Sequence, residues 1–396
     1  MIPEAGNMGG GAWVPVVRSV SSVGFLGCLQ YAKGRAPSPA ARHYRRKRES
    51  VDRRDTGNTV READALLLQG VAGMLAARPF RSHPLLRGGH AQTIARWAWP
   101  QRYRAGLDET RLFEVESKVC LLARCRWHED RSSRATLIVV HGLGGSADAP
   151  YVLGATRLAY RAGANVVRLN QRNCGGTEHL TPTLYHSGMS GDLAAVVREL
   201  VGRDGLSRVL VAGFSMGGNL ALKMAGEMGE DAPPELSGVC AISPALELRE
   251  TAKNLESPSN RPYQRSFVRG LRRLIERKKA LYPDLYDVRG LDRLRTVRDF
   301  DELYTAPHGA FANADDYYAL SSALSFVPRI RVPALIVHAQ DDPLVPFGPL
   351  LRPETSGNPY VVKDTPRHGG HVAFVSLEKG SRFWAEERLA EFCHLL

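Results

Sequence analysis

From about residue 110 onward the chain alternates short apolar runs with amphipathic stretches. Leu137-Ile138-Val139-Val140, Asn165-Val166-Val167-Arg168-Leu169, Val209-Leu210-Val211-Ala212, Val239-Cys240-Ala241-Ile242 and Leu335-Ile336-Val337-His338 are nearly continuous apolar runs, which fits strands covered on both faces. Residues 191–201 and 219–228 between them place their apolar positions at helical spacing. Strand, helix, strand in repeated order predicts an α/β fold, a mostly parallel sheet flanked by helices. Ahead of it, Leu112-Phe113-Glu114-Val115-Glu116 and Val119-Cys120-Leu121-Leu122-Ala123, separated by Ser117-Lys118, read as an antiparallel hairpin. Residues 63–77 read as helix, and Pro79, Pro84 and Gly88-Gly89 punctuate an extended arm.

The alternation stops between Pro244 and Arg331, a stretch too long for an ordinary connection. It reads as an inserted helical lid. Within it Phe267, Val268, Leu271, Leu274 and Ile275 fall at helical spacing, while Arg265, Arg269, Arg272, Arg273, Arg277, Lys278 and Lys279 supply a basic opposite face. That pattern describes a solvated lid helix, with contact to anionic lipid or substrate as the alternative. The expected organisation is a basic, disordered extension over 1–60, a helix and extended arm over 61–109, a core over 110–245 and 328–396, and a lid over 246–327.

Composition changes this picture little. The 396 residues, 43% hydrophobic and 24% charged, suffice to bury a large core. The net charge of +12 raises the question of nucleic acid, but residues 1–60 hold ten Lys/Arg against four Asp/Glu and so carry half of it. Their run Arg45-Arg46-Lys47-Arg48 lacks interleaved aromatics or a recognised module, so no nucleic-acid partner is expected. Pro15 and Arg18 interrupt the weakly apolar stretch at 13–32, which argues against a signal peptide or spanning helix there. Six cysteines without a CxxC pair fit reduced thiols and a cytoplasmic location. Peripheral contact with a membrane through the basic segments is an added expectation.

The candidate chemistry begins at Gly213-Phe214-Ser215-Met216-Gly217, placed between a strand and a helix. A serine hydroxyl needs a base to become nucleophilic, and a tight strand-to-helix turn presents it clear of the sheet. Gly213 and Gly217 keep that turn uncrowded, and a helix beginning near Gly218 favours developing negative charge. After the first parallel strand comes His141-Gly142-Leu143-Gly144-Gly145. The amides of Leu143 and Met216 are the expected oxyanion donors, with His141 a structural loop residue. The acid is expected in Asp341-Asp342-Pro343, with Asp342 chosen and Asp341 the alternative. The base is expected in Arg367-His368-Gly369-Gly370-His371, with His371 chosen and His368 shaping the loop. Metal catalysis is not expected, because no third ligand accompanies the two histidines.

Several longer motifs add specificity: His83-Pro84-Leu85-Leu86-Arg87-Gly88-Gly89-His90-Ala91-Gln92-Thr93-Ile94, Asn170-Gln171-Arg172-Asn173-Cys174-Gly175-Gly176, Tyr185-His186-Ser187-Gly188, Asp315-Asp316-Tyr317-Tyr318 and His368-Gly369-Gly370-His371-Val372. On these the chain, from Pro79 onward, resembles the YheT-type α/β hydrolases, which are related to plant Emb8-like proteins and animal membrane-associated phospholipases and esterases. The resemblance implies the α/β-hydrolase fold, a triad of Ser215, Asp342 and His371, and hydrolysis of short-chain or lipid-derived carboxylic esters without a cofactor. Asn173 stands where the family often has glycine, and Ala373 replaces the glycine of a usual Val-Gly-Phe. Asn tolerates positive φ, so that turn is expected to survive. Two rival readings keep the fold: acyl transfer to an alcohol from the same acyl-enzyme, and a ligand-binding protein without turnover.

Overall fold

The computed structural model describes residues 62–98, 108–377 and 382–395. The expectation for 1–60 lies outside them. Eight strands form one sheet in the order β1-β2-β4-β3-β5-β6-β7-β8. β1 (Glu109–Glu116) and β2 (Val119–Arg126) make the expected hairpin, whose turn places Lys118 at φ 65°. β2 pairs antiparallel with β4 (Asn165–Leu169). Every other pairing, through β3 (Thr136–Val140), β5 (Val209–Phe214), β6 (Leu236–Ile242), β7 (Ala334–Val337) and β8 (Val361–Asp364), is parallel. Parallel strands share one carboxyl edge, so the loops that leave it converge there.

Among the described residues the helices of eight residues or more are α1 (Glu62–Ala77), α2 (Gly89–Ala98), α3 (Pro150–Arg161), α4 (Ser190–Gly202), α5 (Met216–Met228), α6 (Leu248–Leu255), α7 (Arg261–Leu281), α8 (Ala314–Ser321) and α9 (Trp384–Leu395). Because side chains alternate along a strand, Ile138, Val140 and Val211 pack with Val197 and Leu200 of α4 and Leu220 of α5. Leu137, Val139 and Leu210 face the other way, toward Val152 and Ala155 of α3, Phe392 of α9 and Val71 of α1. Both sheet faces are thus covered, which is why the strands read as continuous apolar runs.

A third apolar cluster is built from α6, α7 and residues 286–318, and meets the core at Met216, the first residue of α5, and at Leu344 and Val345 in the loop after β7. Its α7 buries Val268, Leu271, Leu274 and Ile275, as the spacing predicted. Lys278 departs from its expected place on the basic outer face. It is fully buried, donates to the carbonyls of Glu178 (3.1 Å) and Thr181, and lies 4.2 Å from the centre of the Tyr282 ring. Burial pushes its ammonium down to about 8. The arm also differs from expectation, since its Gly88-Gly89 breaker opens α2. Glycine at a helix start costs little, and here it is required by packing: a Cβ on Gly89 would sit 1.7 Å from the carbonyl oxygen of Asp341.

Candidate active site

β5 ends at Phe214 and α5 starts at Met216, two residues before the expected start at Gly218. Ser215 is left alone in the turn at φ 54° and ψ −118°. Such a backbone costs on the order of 1–3 kcal/mol and persists only where its surroundings enforce it. Here Ser215 N donates to Ile242 O (2.9 Å), and Ser215 O accepts from Asn219 N (3.1 Å). The two glycines of the motif permit the close approach. A Cβ at Gly213 would lie 2.0 Å from Gly217 O, and one at Gly217 would lie 2.5 Å from Val140 O.

The loop after β7 and the loop after β8 bring two side chains to this serine. His371 Nε2 is 3.0 Å from Ser215 Oγ, and His371 Nδ1 is 2.8 Å from Asp342 Oδ2. The Asp342 side chain is completely buried, and its Oδ1 accepts from the Leu344 (2.9 Å) and Val345 (3.0 Å) amides. Burial alone pushes this carboxyl up, but His371, His338 and the Val345 amide together override it and hold it below the ordinary value. An ionised Asp342 keeps the proton on Nδ1, which leaves Nε2 to accept from the serine hydroxyl. Asp341 is turned to a different task, accepting from Gly370 N (2.9 Å) and pairing with the exposed His368 (3.1 Å).

The His371 loop is itself strained, with Val372 at φ 58° and Phe374 at φ 45°. Ala373, which replaces glycine, does not take a positive φ, and so needs no glycine. Side chains from outside the loop fix it. Thr93 of α2 accepts from His371 N (2.9 Å) while donating to Gly89 O (2.7 Å), and Ser243 accepts from Val372 N (3.1 Å). Gln92, fully buried, bonds both backbone groups of Val375. Sequence reading gave Gln92 and Thr93 no role. The signal available was their place in the long His83-to-Ile94 motif.

The 141–145 loop has its own supports. The Gly142 amide donates to Tyr151 OH and the Gly144 amide to Tyr185 OH, each at 3.0 Å. Burial pushes the Tyr151 phenol up to about 12 and Tyr185 well above its ordinary value, so both stay neutral. Neither Leu143 N nor Met216 N has a hydrogen-bond acceptor among the described residues. Both residues line the same cavity as Ser215 and His371. His141 is fully buried, with Nδ1 2.8 Å from Gly142 O and Nε2 3.2 Å from Gln171 N, and burial pushes it down to about 4. Nearby Asn173 adopts φ 64°, the left-handed turn its replacement of glycine called for.

The cavity in front of Ser215 measures about 90 Å³, with apolar walls that include Leu143, Leu248, Phe267 and Val297. One buried carboxyl interrupts them. Asp301, in a π-helical turn at Asp301–Thr305, accepts from Thr305 Oγ1 (2.7 Å) and Tyr318 OH (2.8 Å), and burial pushes it up to about 6. Among the described residues no group of three or more His, Cys, Asp or Glu side chains converges as a metal site would, and no helix is long and apolar enough to cross a membrane.

The fold agrees with comparison to known proteins. The model of the alpha/beta hydrolase fold family matches residues 135–374. The YheT protein of Escherichia coli K12, a provisionally named esterase, is 32% identical over 272 residues, covering 67% of this chain and 79% of that protein. The monoacylglycerol lipase of Saccharomyces cerevisiae is 31% identical over 262 residues, covering 64% of this chain and 58% of that protein. The embryogenesis-associated protein EMB8 of Picea glauca is 24% identical over 334 residues, covering 81% of this chain and 73% of that protein. The chain is therefore a member of the YheT-type, EMB8-like family within the α/β-hydrolase fold.

Proposed function

We propose that this protein is a carboxylic ester hydrolase that works through an acyl-enzyme on Ser215. The observation that carries the proposal is the hydrogen-bonded line from Asp342 Oδ2 through His371 to Ser215 Oγ, 2.8 and 3.0 Å, at the wall of an apolar cavity. In this reading His371 takes the hydroxyl proton as Ser215 attacks the ester carbonyl. Asp342 fixes the imidazole tautomer and balances the imidazolium. The oxyanion is met by the Leu143 and Met216 amides, whose freedom from other acceptors fits them for it. Protonated His371 then gives its proton to the leaving alcohol, and water activated by the same nitrogen releases the acid.

The relatives named for esterase and lipase activity support the reaction class. The cavity supports the substrate class: about 90 Å³ between apolar walls suits a short acyl chain, with a longer lipid chain requiring movement of the insert that supplies Phe267 and Val297. Residues 246–327 act in this proposal as the lid of the site. The test is labelling by a fluorophosphonate probe together with hydrolysis of p-nitrophenyl esters of graded chain length. Labelling and turnover that both vanish in Ser215→Ala would support the assignment, and labelling that persists would end it.

A further inference from the structure

The outer face of α7 carries a feature that ester hydrolysis does not use. Arg261, Arg265, Arg269, Arg273 and Arg277 recur at every fourth residue and are all exposed, forming a ridge that winds across the solvent side of the helix. Arg277 pairs with Glu178 (2.7 Å). The other four have no ion-pair partner among the described residues. The helix as a whole has eight cationic residues and a single acidic one, Glu276.

This ridge does not stabilise the helix that bears it. Like charges four residues apart repel along a helix surface, and a cation in the first turn opposes the helix dipole. A face made only for solubility intersperses both signs. Apolar side chains stand exposed where α7 ends and beyond: Leu281 (47%), Leu285 (54%), Val288 (40%) and Leu303 (45%). Cations beside exposed leucines are the composition of an interfacial surface, whereas single-stranded nucleic acid is held by stacking aromatics among the cations. The inner side of the same helix faces the candidate site, where Phe267 lines the cavity and Tyr263 stacks on His90 with ring centres 5.8 Å apart.

We propose that the outer face of α7 docks on an anionic lipid surface, its arginines toward the headgroups and the exposed Leu281 and Leu285, at and just past its end, beneath them. Docking there brings the wall of the cavity to the lipid. Binding needs no turnover, so this inference stands or falls separately from the hydrolase reading.

The experiment is co-sedimentation of the full chain with vesicles of equimolar phosphatidylcholine and phosphatidylglycerol, compared with phosphatidylcholine alone, using both wild type and Ser215→Ala. Both proteins are expected to partition to the anionic vesicles and to be released by high salt. Arg265→Glu/Arg269→Glu/Arg273→Glu should lower that partition on the order of a hundredfold. Hydrolysis of dissolved p-nitrophenyl acetate should be unchanged. The milder Gln triple, which retains the helix without the charge, should show the same direction. Equal partition to neutral vesicles would overturn the proposal. So would undiminished binding by both triple variants, which would transfer the attraction to the basic run at 45–48, or a preference for duplex RNA over the anionic vesicles.

Discussion

The carboxyl edge of the sheet and the insert above it are ordered in different ways. At the sheet edge, backbone packing and amides hold the serine and the acid, while Thr93, Ser243 and Gln92 fix the His371 loop from outside it. Ser215 stands in a strained turn because glycine-sized gaps at 213 and 217 let β5, α5 and β3 approach, and Asp342 is held by the two amides just after it. In the insert, side chains reach across long separations. Lys278 plugs carbonyls about a hundred positions away, and Ser321 and Ala323 at the end of the insert are tied back to Asn219 of α5, whose amide donates to Ser321 O and accepts from Ala323 N. Asp301 is clasped by Thr305 and Tyr318. The comparison teaches that the placing of a serine and an acid can be encoded in short motifs, whereas the shape of the cavity beside them is spread over many distant residues.

The largest effect should come from breaking the sheet-edge side. Ser215→Ala is expected to lower kcat with a soluble ester on the order of 10⁶-fold, with an unchanged melting temperature. Substantial residual turnover would place the chemistry elsewhere. Next, Asp342→Asn should cost about 10⁴-fold by the loss of the correct tautomer, while Asp341→Asn should cost less than about tenfold, since that carboxyl serves the His368 ring and the Gly370 amide. Equal losses in steady-state assays would erase the distinction between the two aspartates.

The insert is probed by Phe267→Ala. Enlarging the cavity there should shift kcat/KM toward longer acyl chains by roughly tenfold, read from a p-nitrophenyl ester series. The border between the regions is probed by Thr93→Val, which frees the His371 amide and should lower kcat by about tenfold with little change in KM. Thr93→Ser, which restores the hydroxyl, should recover it. The smallest effect concerns Asp301, whose carboxyl is raised by burial to about 6. Its contribution to stability is fully present below the ordinary aspartate value and is lost as pH rises through about 6. Asp301→Asn should therefore flatten the stability profile between pH 4 and 7, a difference of about 1–2 kcal/mol in denaturant titrations.

Much of the fold was legible because both faces of the sheet are covered. Covered strands appear as unbroken apolar runs: those at 137–140, 165–169, 209–212 and 239–242 lie in observed strands, and the run 335–338 extends one residue past the end of β7. The hairpin was legible from two β-rich runs and a two-residue turn. The arm was misread at α2 because a glycine pair signals a break, while nothing local reveals that Gly89 must press on the Asp341 backbone. Lys278 was misplaced because helical spacing assigns a lysine by its type. Its partners come from another segment of the chain.

By itself the sequence determined that a serine would stand between a strand and a helix, with an acid and a histidine following in chain order, because each depends on a turn defined within a few residues. It also determined the alternation from which the sheet follows. Only the tertiary structure decided which aspartate faces His371, since adjacent residues on a turn point in different directions. It alone placed Thr93 under the His371 amide and Asp301 in the cavity wall. These are contacts between residues far apart in the chain, and their energy exists only once the chain has closed around them.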